Sequence, residues 1–423
     1  MNAAPALPGA SSAAARRGVY VLLANSALMS AGFFMLIPLL SVHLTQNLGF
    51  SGAAAGAILA VRQLTQQGLM VFGGALADRV GYRPIIAVGM LVRALGFFGF
   101  AVADTLPVIL ASAIVAALGG ALFEATGKAA LASLVAPEAR PRTFSLSSLA
   151  GGIGTTGGPL LGVALLPLSF AWVGIASGAF FFAAFVISAL LLPPMAGAGS
   201  AAPPLRQTLA TVSRDKRFLT FTALLTAYWL LHNQIYISVP LWATRVTGGA
   251  EIVGLLYAVN AGAGLLLQYP LVTWASRRAS PTALVAVGMA IMGAGLGLFA
   301  LTTPTLNTST STAVLVMCTA VTIYAAGRSL VEPSKDVVTT HLAPPNQLAA
   351  YFGVSFLALA IGGSTGNYLG GWLYDLSITT GATTLPWLSF AAFGLLAGAI
   401  TLALRRGFGG AAPAGPHKVG QIS

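Results

Sequence analysis

Residues 119–137 read GGALFEATGKAALASLVAP, and residues 327–345 read GRSLVEPSKDVVTTHLAPP. Laid over each other at an offset of 208 positions, from 124 to 332, they match at five places. Gly119 meets Gly327, Leu122 meets Leu330, Glu124 meets Glu332, Leu134 meets Leu342 and Pro137 meets Pro345. Phe144 and Leu149 then meet Phe352 and Leu357. A second match, Val88-Gly89-Met90 with Val287-Gly288-Met289, has an offset of 199, from 89 to 288. Glycine and alanine coincide by chance in such a chain. Glutamate opposite glutamate is a rarer coincidence, because 423 residues hold only 9 Asp and Glu. The chain reads as a duplicated unit, the mark of a transporter built from repeats with its site near the bilayer midplane.

Composition places those repeats in a membrane. Apolar residues make up 57% and charged residues 7%, and mean hydropathy is +0.86. A soluble domain carries about 25% charged residues. Apolar runs long enough to span recur throughout, and the 50 glycines suit close helix approach in lipid. Twelve spans are expected near 19–43, 53–77, 84–104, 107–133, 143–167, 170–192, 218–242, 252–275, 281–302, 312–340, 347–374 and 385–404. The breaker-rich stretch 193–217 divides them six and six. The expected fold class is therefore an all-α membrane protein, twelve transmembrane helices in two six-helix pseudo-symmetric halves. Its parts are a disordered tail (1–18), an N-terminal half (19–192), a linker (193–217), a C-terminal half (218–404) and a second tail (405–423).

The net charge of +12 follows the same topology. Most basic residues, among them Arg79, Arg83, Arg214, Lys216, Arg217, Arg277 and Arg278, fall on one side, and only Arg245 is left for the other. This bias places linker and both termini in the cytoplasm and the chain in a bacterial inner membrane. No clustered basic patch with interleaved aromatics exists, which excludes nucleic acid as a partner. Cys318 stands alone, so neither a disulfide nor a cysteine metal site is expected. No phosphate-cradling loop or catalytic constellation occurs, so the chain reads as no enzyme, without cofactor or metal, driven by a proton gradient. Expected partners are a small amphipathic substrate, protons and lipid, with the protein a monomer.

Acids stranded in apolar spans are the candidate chemistry. A charge at the bilayer centre costs about 2.5–3.5 kcal/mol, so Glu124, Glu332 and Asp336 are expected to line an enclosed pathway and to carry protons. Glu124 and Lys128 are four apart on one helical face, as are Arg328 and Glu332, and Glu332 and Asp336. Lys335 completes that set, and Pro333 is expected to break the helix there. Arg62 and Arg93 need partners inside the bundle. Gln63, Gln66 and Phe123, with a stripe of Trp229, His232, Asn233 and Tyr236, are expected to wall the substrate. An aromatic stripe that merely packs the core, and ion pairs that are merely structural, are the plainer readings.

Two further stretches carry a resemblance. Gly74-Ala-Leu-Ala-Asp78-Arg79-Val-Gly81-Tyr-Arg83-Pro84 resembles the loop signature of the major facilitator superfamily, and Gly154-x-x-x-Gly158-Pro159-x-x-Gly162 resembles the span-5 motif of its antiporters. The stretches 62–97, 214–221, 332–336 and 361–376 are similar to the MdtH-like multidrug efflux proteins, a twelve-span drug:proton antiporter group. The resemblance implies the major facilitator fold, alternating access and proton-driven export. It implies a conformational latch at Gly74, Asp78, Arg79, Gly81 and Arg83, and a kink at Pro159. Two departures shift the load onto Glu124, Arg62 and the 328–336 cluster. Val115 stands where many drug antiporters carry an arginine, and span 1 has no acid. The expected function is proton-coupled export of amphipathic organic compounds. Export of a self-made metabolite such as a siderophore is the alternative, ahead of nutrient import and a non-transporting membrane receptor.

Overall fold

A computed structural model describes residues 12–136, 139–195, 212–303, 309–344 and 348–408. The Asp78, Arg140 and Arg142 side chains, residues 1–11 of the first tail, 196–211 of the linker, 409–423 of the second tail, Pro137 and Pro345 lie outside that description. Among the described residues the fold is helical throughout. In chain order α1 spans Ala13–Val42, α2 Gly52–Val80, α3 Tyr82–Phe100, α4 Leu106–Ser133, α5 Arg140–Leu165 and α6 Phe170–Leu191. Then follow α7 Lys216–Asn233, α8 Ser238–Thr247, α9 Glu251–Ser276, α10 Pro281–Gly297, α11 Thr310–Leu342, α12 Leu348–Thr380 and α13 Leu385–Leu404. With α7 and α8 sharing the seventh position, these helices take the places of the twelve expected spans. Eight of the described helical segments are long and apolar enough on their own to cross a membrane. The protein is thus a multi-pass membrane protein.

Helix starts follow capping chemistry. Ser12, Ser51, Ser280 and Ser309 cap α1, α2, α10 and α11 by accepting from the backbone N–H three residues on, and Asp215 does the same for α7. Pro281 at the first turn of α10 fits its fixed φ. Between α2 and α3 the chain turns on Gly81, whose φ of +102° is costly for any residue with a Cβ. Tyr82 N–H then donates to the Met195 carbonyl, and Arg83 donates to the Ala189 carbonyl at the end of α6.

The chain forms two compact units. One comprises Met1–Pro203, Ile235–Thr244 and Gly249–Ala258; the other comprises Pro204–Gln234, Arg245–Gly248 and Val259–Ser423. Within the first, α1 packs on α5 and α6, α2 on α4, and α3 on α4 and α6. Within the second, α7 packs on α12, and α10 on α11 and α13. Glycine decides these crossings. A Cβ at Gly154 would lie 2.3 Å from the Ala27 carbonyl oxygen, one at Gly158 2.6 Å from that of Ala31, and one at Gly162 2.2 Å from that of Met35. Every fourth residue of α5 thus sits on every fourth residue of α1.

The second unit repeats these contacts. A Cβ at Gly362 would lie 2.2 Å from the Thr226 oxygen, and one at Gly366 2.7 Å from that of Leu230. Gly154 to Gly362 is the 208 offset, and Ala27 to Thr226 is the 199 offset. Gly89 lies against Gly119 and Leu122, while Gly288 lies against Gly327 and Leu330. Gly96 approaches the backbone N of Ala116 as Gly295 approaches that of Tyr324. The same two offsets hold at every pair. The duplication in the sequence is therefore a duplication of helix crossings.

Two expectations about helix continuity change. The expected span 218–242 is two helices, with a turn over 234–237. Pro240 is the cause: it has no N–H to give the Tyr236 carbonyl, and the Ser41 hydroxyl donates to that oxygen instead at 3.2 Å. The Ile235 carbonyl accepts from the Tyr257 hydroxyl at 2.8 Å. Side chains thus satisfy the carbonyls that the break frees, which lets a broken helix persist at membrane depth. Tyr236 accordingly leaves the expected stripe and stacks near Phe34 and Tyr257. Conversely, Pro333 does not break its helix, since α11 runs on to Leu342. Pro159 lies within the 26-residue α5.

Candidate functional site

Each unit holds one cluster of charge. In the first unit, Arg62 and Gln66 stand one turn apart on α2, and the Arg62 guanidinium donates to the side-chain oxygens of Gln63 at 3.1 Å and Gln66 at 3.3 Å. From α3 comes Arg93, and from α1 the ring of Phe33. Both guanidiniums lie over that ring, Arg62 at 5.0 Å and Arg93 at 5.4 Å from its centroid. Phe181 and Phe97 cover Arg93 further, at 5.0 and 6.0 Å. Arg62 is 6% exposed and Arg93 3%. Glu124 of α4 lies within electrostatic range of both and is half-buried. Its neighbour one turn on, Lys128, is exposed. Phe123 is buried, with its ring folded over Gly127.

The second unit's cluster is built on α11 and α7. Lys335 Nζ bridges two carboxylates, Glu332 at 3.1 Å and Asp336 at 2.9 Å. The Tyr228 hydroxyl donates to Glu332 from α7. Trp229 places its ring 5.8 Å from Lys335 Nζ, a cation–π distance. His232 meets Trp229 edge to face at 5.3 Å and shares a 3.0 Å hydrogen bond with Tyr324. Asn233 donates back to the Trp229 carbonyl and accepts from Asn367 of α12. Arg328 reaches toward α9, where a Cβ at Gly264 would lie 2.8 Å from its Nη2. Glu332 is half-buried, but Asp336 is 54% exposed. Asp336 lies one turn beyond Glu332 on the same face of α11, at the exposed end of the cluster.

Of the predicted residues, the fold gathers Arg62, Arg93, Gln63, Gln66 and Glu124 into one set. It gathers Trp229, His232, Asn233, Glu332, Lys335 and Asp336 into another. The signature loop lies elsewhere, with Arg79 exposed, Gly74 half-buried, and the close approach of α2 to α4 made by Gly73 against the Ala121 oxygen at 2.4 Å. Gly154, Gly158 and Gly162 serve the α1–α5 crossing. Sequence reasoning missed Phe33 and Tyr324. Neither carries a charge or a motif, and for Tyr324 the signal was its place eight residues before Glu332 on one helix.

Comparison with known proteins gives one answer at two depths. The profile described as "Major Facilitator Superfamily" matches residues 22–366. The Multidrug resistance protein MdtH of Edwardsiella ictaluri (strain 93-146) is 37% identical over 391 residues, 92% of this chain and 94% of that protein. That of Klebsiella pneumoniae (strain 342) is 35% identical over 379 residues, 90% and 92% of the two. Among solved structures, the peptide transporter POT in complex with sulfate superposes with a TM-score of 0.78 at 16% identity, covering 93% of this chain and 95% of that one. The POT family transporter PepTSo does so with the same score and identity, at 93% and 98% coverage. The structural likenesses show the fold, and the sequence matches span nearly the whole chain. The chain belongs to the Major Facilitator Superfamily.

Proposed function

We propose that this protein is a proton-coupled secondary transporter that exports amphipathic organic compounds, working by alternating access in a bacterial inner membrane with both termini cytoplasmic. The observation that carries the reading is Glu124, a half-buried carboxylate in electrostatic range of two buried guanidiniums. Such a group takes a proton when its basic neighbours turn away and releases it when they return. The relatives named as multidrug resistance proteins support the direction and the cargo class. The duplicated helix crossings support division into halves 19–192 and 218–404, joined by the linker 193–217.

In the cycle proposed, Glu124 is protonated from outside and loses the proton to the cytoplasm as cargo binds. Glu332, held by Lys335 and Tyr228, is the secondary carrier, and Asp336 tunes it through the shared lysine. Gln63, Gln66, Trp229, His232, Asn233 and Tyr236 provide polar and aromatic contacts to cargo. The signature residues Gly74, Asp78, Arg79, Gly81 and Arg83 act as the latch. Each proton supplies about 2.3 kcal/mol per 100 mV and about 1.4 kcal/mol per pH unit. That supports a cargo gradient of several tens to a few hundred.

The test is proteoliposome efflux of an amphipathic dye under an imposed pH gradient, with substrate-dependent proton release measured on the protein in detergent. Efflux that collapses with the gradient, and release lost in Glu124→Gln, are expected. Release unchanged in that variant rejects Glu124 as carrier, and no gradient-dependent efflux rejects the function.

A further inference from the structure

The charges of the first unit do not balance. Arg62 and Arg93 face one carboxylate, Glu124, and they also repel each other. Arg93 is 3% exposed, yet its Nε and Nη1 have no hydrogen-bond partner, and Arg62 Nε has none either. The Gln63 and Gln66 oxygens accept from Arg62. Gln66 and Arg93 converge on Gly120, where a Cβ would lie 2.3 Å from Arg93 Nη1 and 2.8 Å from the Gln66 side-chain oxygen. With no Cβ at Gly120, the guanidinium and the glutamine amide pack directly against the α4 backbone. Aromatic faces return only part of the cost of desolvating a guanidinium, and buried N–H donors without acceptors are rare in folded proteins. Phe33 and Glu124 are the half-buried members of the cluster and so its accessible side.

We propose that this cluster is a subsite for a zwitterion: the cargo carries a carboxylate that takes the free N–H groups of Arg93 and Arg62, and a cationic centre that pairs with Glu124. The inference rests on the export reading and names the cargo's charge. Elimination by charge supports it. A purely cationic cargo would take Glu124 and leave two buried guanidiniums without an anion. A purely anionic cargo would compete with Glu124 for the arginines and favour its protonation, so proton and cargo would travel together, the wrong sign for exchange. A cargo with both charges supplies the missing anion. Its cationic end also requires Glu124 ionised, so binding expels the proton. The flat face of Phe33, already shared by the two guanidiniums, suits an aromatic frame between the charges.

Three probes on one frame test it: 4-(aminomethyl)benzoate, 4-methylbenzoate and 4-methylbenzylammonium, titrated against the purified full-length protein in gluconate buffer with thermal unfolding as readout. The zwitterion is expected to bind at least tenfold more tightly than either singly charged analogue and to release protons into weak buffer. Arg93→Lys keeps the charge but loses the planar N–H array, so it should weaken the zwitterion and the carboxylate about tenfold and leave the ammonium unchanged. Glu124→Gln should weaken the zwitterion and the ammonium and spare the carboxylate. Three probes within threefold of one another, or a preference that vanishes when chloride replaces gluconate at equal ionic strength, overturn the proposal. Dye efflux run in parallel separates the two readings. Efflux without zwitterion preference removes the subsite and leaves export, whereas preference without efflux removes export and leaves the subsite.

Discussion

Glu124 and Glu332 occupy the same place in two copies of one helix arrangement, and their surroundings differ in charge. Around Glu332 stand Lys335, Asp336 and Arg328, two cations against two acids, with a lysine bridging both carboxylates at 2.9 and 3.1 Å. Around Glu124 stand two buried arginines with unpartnered nitrogens. One turn beyond each glutamate, the copies carry opposite signs at exposed positions, Lys128 in the first and Asp336 in the second. The backbone has kept its symmetry because glycine contacts enforce it. The charges have diverged because side chains on the same scaffold are free to change. One cluster is closed on itself, and the other lacks an anion.

The comparison can be broken most forcefully at the crossings. Gly154→Ala and Gly362→Ala each place a methyl about 2.2–2.3 Å from a backbone oxygen. Each should cost roughly 3 kcal/mol or more, above the usual range for overpacking, since a helix must move. Unfolding midpoints in dodecyl sulfate check this, and a marked inequality between the two would deny that the crossings are equivalent. The next largest effect is Lys335→Met. Loss of one partner from a fully buried pair costs about 3–5 kcal/mol. With Glu332 35% and Asp336 54% exposed at the side chain, about 1–2 kcal/mol is expected.

Tyr228→Phe should cost about 1–1.5 kcal/mol through the lost hydrogen bond to the Glu332 carboxylate, and Lys335→Met should mask part of it because both act on the same group. A double-mutant cycle measures that overlap, and strict additivity would remove Tyr228 from the cluster. Arg93→Met sharpens the contrast between the units. Its unpartnered nitrogens mean that removal should change stability by less than about 1 kcal/mol, in either direction, while transport falls sharply. A cost as large as that of Lys335→Met would show that Arg93 is a structural ion after all. The smallest effect is expected at Gly157→Ala, where a Cβ meets nothing within 4 Å. Relief of glycine's backbone entropy should stabilise α5 by about 0.5–1 kcal/mol, the opposite sign to its neighbour Gly154 three residues away.

Much of this was legible in the chain. Two offsets, 208 and 199, were visible in short matches, and the structure extends them to Gly96 and Gly295, Gly158 and Gly366, and Gly154 and Gly362. Scarcity made the acids conspicuous, and periodicity put Arg328, Glu332 and Asp336 on one face. The break at 234–237 has its signal in Pro240, inside the stretch expected as one span, 218–242. Pro333 was read as a breaker and is none, since α11 runs through it to Leu342. Phe33 gave no signal, since a phenylalanine in an apolar span looks the same whether it faces lipid or two guanidiniums.

Sequence alone determined that this chain lives in a bilayer, that it is twofold repeated, and which few residues carry charge there. Those are properties of composition and spacing, and the energetics of lipid acts on them directly. Tertiary structure decided which charges meet. Lys335 bridges two acids, and Arg62 and Arg93 share one ring, only because particular helices cross at particular glycines. Helices that cross in space bring together residues far apart along the chain, and no local pattern encodes that distance.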